Sequence, residues 1–455
     1  MTENSAFVQK FFKPVDSFTV ECFLRFFGVI ILIQVFSFVS HNFIEQGIIA
    51  PRLLFTYDFF EFVKPLPAAV MKLMMLLIFA SGILLIINKF RKIGLLIFIV
   101  CFSYFFLLEK SYYNNHFYLF ILIAFIFLFY DSVTDHSTNK KLIPYWLLLL
   151  LQIQIVIVYF YGGIAKLNHD WIFDQQPLRI LLEGTKKNAL LPDLNGSTFA
   201  LYLLTYGGLF YDLFVGFMLW FKRTRKFAII VSIIFHLSNF FLFNFGESSD
   251  IGGFPVFMIG SLLLFTDAEF VRNKLSQVIP SLKNTVPHKK QKHQAQPEIN
   301  FSKKRNTVLA CISVYLAFQL LFPLRHWLYK GNTSWTAEGH RFAWRMKIHS
   351  KKSNIKFYLK PSEKDSTQAI DLSRIINNMQ EYNMGEDPVM ILQFAQFLGN
   401  ELNKSGYPNA KVFASAKVSL NGKPFYAVVD STVNLLTLSH NKLGSNDWIL
   451  PFPEY

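Results

Sequence analysis

The sequence predicts a mainly α-helical membrane protein: a polytopic helix bundle of about nine spans with a small C-terminal α+β domain outside the membrane. Three observations carry that reading. Of 455 residues, 52% are hydrophobic and only 16% are charged, whereas a soluble chain has roughly a quarter of its residues charged. The mean hydropathy is +0.32 and 52 residues are Phe. Apolar runs close to the about 20 residues that cross a bilayer recur along the chain.

The runs lie near residues 23–40, 68–87, 93–108, 117–130, 145–165, 199–221, 227–245, 253–267 and 307–328. Those near 93–108, 117–130 and 253–267 are short, and read either as spans extended into their flanks or as re-entrant segments. The first run has no small-residue cleavage site after it and reads as a retained span. Basic residues fall in alternate loops: Lys89, Arg91 and Lys92; Lys140 and Lys141; Lys222, Arg223, Arg225 and Lys226; then HKKQKH and SKKR within 269–306. The other loops carry Glu109 and Lys110, DLNGS and the acidic GESSD. By the positive-inside rule the N-terminus is cytoplasmic, and an odd span count places the C-terminal segment outside. The net charge of +15 therefore reports topology, and no nucleic-acid partner is expected. Cys22, Cys101 and Cys311 lie in or beside apolar runs and read as buried thiols, without a disulfide framework or metal cluster.

The expected division is a transmembrane domain over 1–330, including a basic, Lys/Gln/Pro/Asn-rich linker at 269–306, and an extramembrane domain over 331–455. In the latter, NIKFYLK and KVFASAKVSLNGKPFYAVV alternate like strands, and NGK signals a hairpin turn. EDPVMILQFAQFLGNEL between them reads as a helix.

Ionisable groups at membrane depth are expensive and point to chemistry. His116 opens the fourth run, Lys166 closes the fifth, His236 lies in the seventh and His326 closes the ninth, all towards the outer side. Lys166 reads as a snorkelling interfacial lysine or, desolvated towards the neutral amine, as a general base. The histidines read as helix-end or interior residues, or as members of one outward-opening cavity. Asn115 and Asn239 join helices or contact a ligand, and Asp212 pairs with a cation or caps a helix. Gly162 and Gly163 suit close helix packing. No spacing of His or Cys suggests a metal.

VKPLPAA, LLEKSYYNNHFYLF, YFYGGIAKLNHDW, GGLFYDLFVGF, FHLSNFFLF and FPLRHWLYKGNTSWTAEGHRFAWRMKIHS stand in one order from about Phe23 towards the C-terminus. Together they resemble the vitamin K-dependent gamma-glutamyl carboxylase family, a bacterial-type homologue with an HTTM-like transmembrane domain. Trp335 and Trp344, nine residues apart with His349 five residues later, carry the most specific part. The resemblance implies an enzyme that couples oxygenation of reduced vitamin K to its epoxide with carboxylation of peptide glutamate. It consumes oxygen and carbon dioxide and needs no metal. Lys166 would deprotonate the hydroquinone, with His116, His236 and His326 in support. Asn115, His116, His236 and Asn239 would hold the cofactor, and Trp335, His340, Trp344 and His349 would line the glutamate entrance. A hydrophobic quinol needs an intramembrane pocket, and a peptide or protein substrate an aqueous approach.

The sequence departs from the family pattern at Ala165, where a first lysine is usual, at His340, where an aromatic is usual, and at Ala343, where a serine is usual. GESSD falls in an apparent insertion. Animal carboxylases continue beyond the equivalent of Tyr455, so peptide handling is expected to differ. Two other readings remain: quinol epoxidation without peptide carboxylation, and a membrane transport or interaction protein on the same scaffold. A bacterial inner membrane with the C-terminal domain periplasmic is the expected location.

Overall fold

The structure, a computed structural model, describes residues 6–135, 138, 140–183, 196–244, 252–278, 305–362 and 364–453. Each of the nine apolar runs forms helix, but they are not nine equal spans. Seven described helices are long and apolar enough to cross a membrane: Phe18–Ser40, Ala68–Ile87, Arg91–Leu108, Tyr145–Lys166, Thr198–Trp220, Arg225–Leu242 and Arg305–Leu328. An eighth crossing comes from Phe254–Phe265 if it is joined to Ala268–Val278 across a bend of 116°. The run near 117–130 is the helix Asn115–Phe127, whose 13 residues extend about 20 Å, short of the roughly 30 Å hydrocarbon layer. The expected count of about nine thus becomes seven or eight, with one short helix. The chain is an integral, multi-pass membrane protein.

The Phe-rich composition serves two surfaces. Inside the bundle, Phe27 meets Phe98, Phe120 and Phe257 with ring centres 5.5, 5.7 and 6.0 Å apart, all in the edge-on geometry that aromatic quadrupoles favour. Phe36, Leu76 and Val100 are exposed on the outside, as side chains facing lipid are. Cys101 is buried, but Cys311 is exposed on its helix, contrary to the expected buried thiol.

One end of the bundle carries a three-stranded antiparallel sheet that hydropathy alone does not reveal. Lys140–Pro144 is its central strand, flanked by Pro14–Asp16 and Val133–Asp135. Basic residues of three loops gather here: Lys92 pairs with Asp131, Lys141 with Glu21, and Lys140 and Arg272 with Asp16. Arg272 belongs to the helix Ala268–Val278, so the first part of the expected 269–306 linker is helical and packed. Residues 279–304, with HKKQKH, lie outside the described residues, as does GESSD.

Tyr145–Lys166 starts at this sheet and runs 22 residues, about 33 Å, so Lys166 lies at the opposite end. There a second hydrophobic core begins. Lys351–Lys360 pairs antiparallel with Lys411–Leu420 over all ten residues, in a four-stranded sheet. Val412, Ala414, Ala416 and Val418 alternate inward, and the helix Pro388–Lys404 covers them. Asp387 caps that helix by accepting from the Val389 amide, with Pro388 in its first turn. The preceding helix, Asn378–Glu386, opens on a capping box of Asn377 and Gln380.

The first outer loop joins the two cores. Phe55 is buried in the second core, and Glu109 Oε2 accepts from the Phe55 amide and from Gln380 Nε2, both at 2.8 Å. At the hairpin turn, Asn421 and Lys423 reach Asp170 at 2.6 and 3.0 Å, four residues beyond Lys166. This contact seats the sheet over the end of the span.

Candidate functional site

Lys166 meets Asp212 of the helix Gly208–Trp220 in a buried ion pair. The two helices approach this closely because Gly163 has no side chain: a β-carbon there would stand 2.8 Å from the Leu213 backbone nitrogen. Of the two readings open for Asp212, the cation partner holds. Lys166 Nζ also lies 3.4 Å from the Gly162 carbonyl oxygen and 5.1 Å from the centre of the Trp171 ring, so carboxylate and π-face share its charge.

The pair forms part of the wall of a cavity of about 330 Å³, the size class of small-molecule sites, about 300–1,000 Å³. Asn115 and His116 line it from the helix Asn115–Phe127, His236 and Asn239 from the helix Arg225–Asn244, and Tyr159, Phe235, Phe254 and Trp171 supply apolar faces. His236 Nε2 is 2.8 Å from the Tyr159 hydroxyl and 3.4 Å from that of Tyr211. The His116 ring packs against Phe117 and Phe254, and no hydrogen bond holds it among the described residues. Asn239 lies one helical turn beyond His236, on the same side of its helix. Asn115 Oδ1 accepts from the Tyr113 hydroxyl at 2.9 Å, which itself accepts from the Phe342 amide at 2.6 Å.

That amide belongs to an irregular segment that covers the cavity from the extramembrane side. Ala337, Phe342, Trp344 and Lys347 all have left-handed backbones, strain that persists only where surroundings over-determine it. His340, Arg345, Met346 and Lys347 of this segment line the cavity. Arg345 donates to Ser334 Oγ at 3.1 Å and has no carboxylate partner among the described residues. Burial brings its guanidinium down to about 10 from the ordinary 12.5.

The structure therefore brings Lys166, His116, His236, Asn115, Asn239 and His340 to one cavity. It leaves out His326, Trp335, Trp344 and His349. The His326 ring is turned into the Phe322–Leu328 turn, with Nδ1 2.7 Å from the Pro323 carbonyl oxygen. Trp335 belongs to the second core and donates its indole to the Leu450 carbonyl at 2.8 Å. Trp344 has no exposed surface and stacks on Tyr118 with centres 5.1 Å apart. His349 stands behind His340, their ring centres 5.4 Å apart. The tryptophans support the covering segment from within; a ligand in the cavity does not reach them.

Tyr159, Tyr211, Trp171 and Arg345 are cavity or adjacent residues that patterning did not single out. Tyr159 could have been found: it sits seven residues before Lys166, two turns along the same helix face. Arg345 gives no such signal, since its place depends on an irregular backbone. The one described group of His and acidic residues close enough to share an ion, His169, Asp170 and Asp174, is not among the cavity's lining residues, and Asp170 is taken by Asn421 and Lys423.

A family model for the HTTM domain matches residues 12–270, and one for the vitamin K-dependent gamma-carboxylase lumenal domain matches residues 304–455. No solved structure matches the chain. The two matches, in this order and over the bundle and the sheet domain just described, show that the chain belongs to the vitamin K-dependent gamma-carboxylase family.

Proposed function

We propose that this protein couples the oxygenation of reduced vitamin K to its epoxide with the gamma-carboxylation of a peptide glutamate, using oxygen and carbon dioxide. The observation that carries the reading is the Lys166–Asp212 pair in an aromatic cavity shared with His116, Asn115 and Asn239. The residues fit a quinol: Phe235, Phe254 and Tyr159 suit a flat apolar ring system, while His116, without a hydrogen-bond partner among the described residues, and Asn239 suit its hydroxyl groups. Reduced vitamin K, when bound, supplies together with oxygen the strong base that removes a glutamate gamma proton.

This chain's own residues bind, orient and move protons. Lys166 takes the hydroquinone proton as the general base once its own proton has passed to Asp212, which also orients the amine. His116, Asn115 and Asn239 fix the ring, and His236, tied to Tyr159 and Tyr211, lines the facing wall. Arg345, unpaired by any described carboxylate, receives the glutamate carboxylate. The covering segment keeps bulk water from the reacting atoms. His326 serves by packing under this segment.

The membrane-spanning domain over 1–330 and the extramembrane domain over 331–455 divide this work, quinol below and peptide above. The basic cluster around the small sheet supports a cytoplasmic placement of that end. We place the protein in a bacterial inner membrane, with the cavity and C-terminal domain on the periplasmic side.

The test supplies purified protein with reduced vitamin K, oxygen, a glutamyl peptide and labelled bicarbonate. Epoxide and incorporated label from wild type, both abolished in Lys166→Ala, are the expected result. Epoxide without label would favour the second reading, quinol epoxidation alone, which the complete enclosure of Trp335 and Trp344 supports. No product from wild type with any quinone would return the scaffold to transport or interaction.

A further inference from the structure

At and behind the cavity wall, two buried imidazole nitrogens have no hydrogen-bond partner among the described residues. His340 lines the cavity, yet its Nδ1 is buried with no hydrogen bond among the described residues, and the same holds for Nδ1 of His349. Their rings are neighbours, with centres 5.4 Å apart and planes tilted by 57°. On its other side, His349 Nε2 is 2.9 Å from Glu386 Oε2. The Glu386 side chain is itself 21% exposed, one helical turn from Tyr382, a residue 55% exposed.

An unsatisfied buried polar group costs about 1–3 kcal/mol, and native interiors keep few of them. Two such nitrogens on adjacent rings share one explanation. A single water molecule between them accepts from one and donates to the other, at little loss relative to a direct bond.

We propose that His340, His349 and Glu386 form a proton exit from the cavity to the aqueous surface, with one water molecule joining the two imidazoles. His340 takes a proton on its cavity side and releases the one on Nδ1 to the water. The water passes a proton to His349 Nδ1, and the Nε2 proton of His349 goes to Glu386 and then to solvent. Only N–H and O–H bonds form and break, and no electron moves.

The need for such a path rests on the carboxylase reading. Quinol plus oxygen giving epoxide plus water is neutral in protons. Replacing a glutamate gamma C–H by a carboxylate from carbon dioxide releases one proton per turnover, and the Lys166–Asp212 pair must be emptied before the next. The charged groups facing the two imidazoles are Arg341, Arg345, Lys351 and Glu386. Burial, then the neighbouring positive charge, holds His340 well below its ordinary value; burial likewise lowers His349, against the pull of Glu386. Burial also opposes ionisation of Glu386, but its bond to His349 and the charges of His349 and Lys351 keep the carboxyl below its usual range. Protons therefore pass through the imidazoles without resting there, and leave from the outer end.

Two measurements on the full-length protein in lipid nanodiscs test this. The first needs no turnover: with ¹⁵N-labelled histidine, the His340 imidazole resonance should shift in His349→Leu, because its water loses its acceptor. An unmoved resonance overturns the proposal. The second compares Glu386→Gln with wild type. Carboxylation should fall about 100-fold with an unchanged KM for quinol and a larger solvent isotope effect. Epoxide formation without peptide should persist, and Glu386→Asp should recover part of the loss. Equal loss of both activities, or an unchanged carboxylation rate and pH profile, overturns the exit. If wild type turns over no quinol, the carboxylase reading falls, while the histidine resonance still decides whether the two imidazoles are joined.

Discussion

Removing either member of the Lys166–Asp212 pair strands the other as a buried charge. Both side chains are only 11% exposed, so water screens the survivor poorly. Breaking a buried pair costs about 3–5 kcal/mol, whereas replacing both members with apolar residues of similar volume is close to neutral. Lys166→Met and Asp212→Leu keep the shapes. A stranded group sheds its charge by gaining or losing a proton, so each single change is expected near the lower end, about 3 kcal/mol. The double change should then cost about 1 kcal/mol or less, a coupling of about 5 kcal/mol, above the roughly 0.5–3 kcal/mol usual for touching side chains. Equilibrium unfolding in mixed micelles reads these energies, with quinol turnover measured in parallel. All three variants should lose turnover by about 10²- to 10⁴-fold, including the stable double variant, which separates chemistry from folding. Single losses that add to the double loss within about 0.5 kcal/mol would refute the coupled pair.

Gly163→Ala should destabilise by about 1–3 kcal/mol through overpacking and reduce turnover, because its β-carbon meets the Leu213 backbone. Gly207→Ala, whose β-carbon finds nothing nearer than 3.6 Å, is the control in the same unfolding assay. Burial opposes ionisation of Asp387, but Lys110 and Arg341 outweigh it and hold the carboxyl well below its ordinary range. A depressed carboxylate contributes stability above its unfolded value, about pH 4, and loses it as pH falls towards the folded value. Unfolding measured between pH 7 and pH 3 should show that loss in wild type and a flatter profile in Asp387→Asn. Arg345→Gln should raise the KM for a glutamyl peptide about tenfold or more, the 1.5–3 kcal/mol of a charged hydrogen bond, while leaving the quinol KM unchanged. Equal effects on both would move Arg345 from carboxylate recognition to the quinol wall.

The sequence by itself determined the solvent of the chain and the local form of most of it. Apolar runs of membrane length become helices because every backbone group in lipid must be bonded within its own segment, so hydropathy located them without tertiary information. Their number was less legible: Asn115–Phe127 is too short, and the 116° bend after Phe265 depends on Ala268–Val278 packing Arg272 against Asp16. In the C-terminal domain, alternation over residues 411–420 and the NGK turn identified paired strands and their hairpin. Lys166, His116, His236, Asn115 and Asn239 were visible for an equally local reason: a polar group in or at the edge of an apolar run stands out wherever its partner lies.

Tertiary structure alone decided who those partners are. Lys166 and Asp212 are separated by 46 residues and meet because Gly163 admits Leu213, a fact of helix packing that no periodicity encodes. The family resemblance makes Trp335 and Trp344 ligand contacts, but close approach of the two cores encloses them and leaves Arg345 and His340 at the cavity. The segment that does this follows left-handed turns at Ala337, Phe342, Trp344 and Lys347, so it has neither helical nor strand spacing from which a side chain's direction could be read. Local chemistry follows from composition and pattern because solvent acts on each residue where it stands. Pairing across the cavity follows from close packing between distant segments, because burying a charge is tolerated only where the fold brings its counter-charge to it.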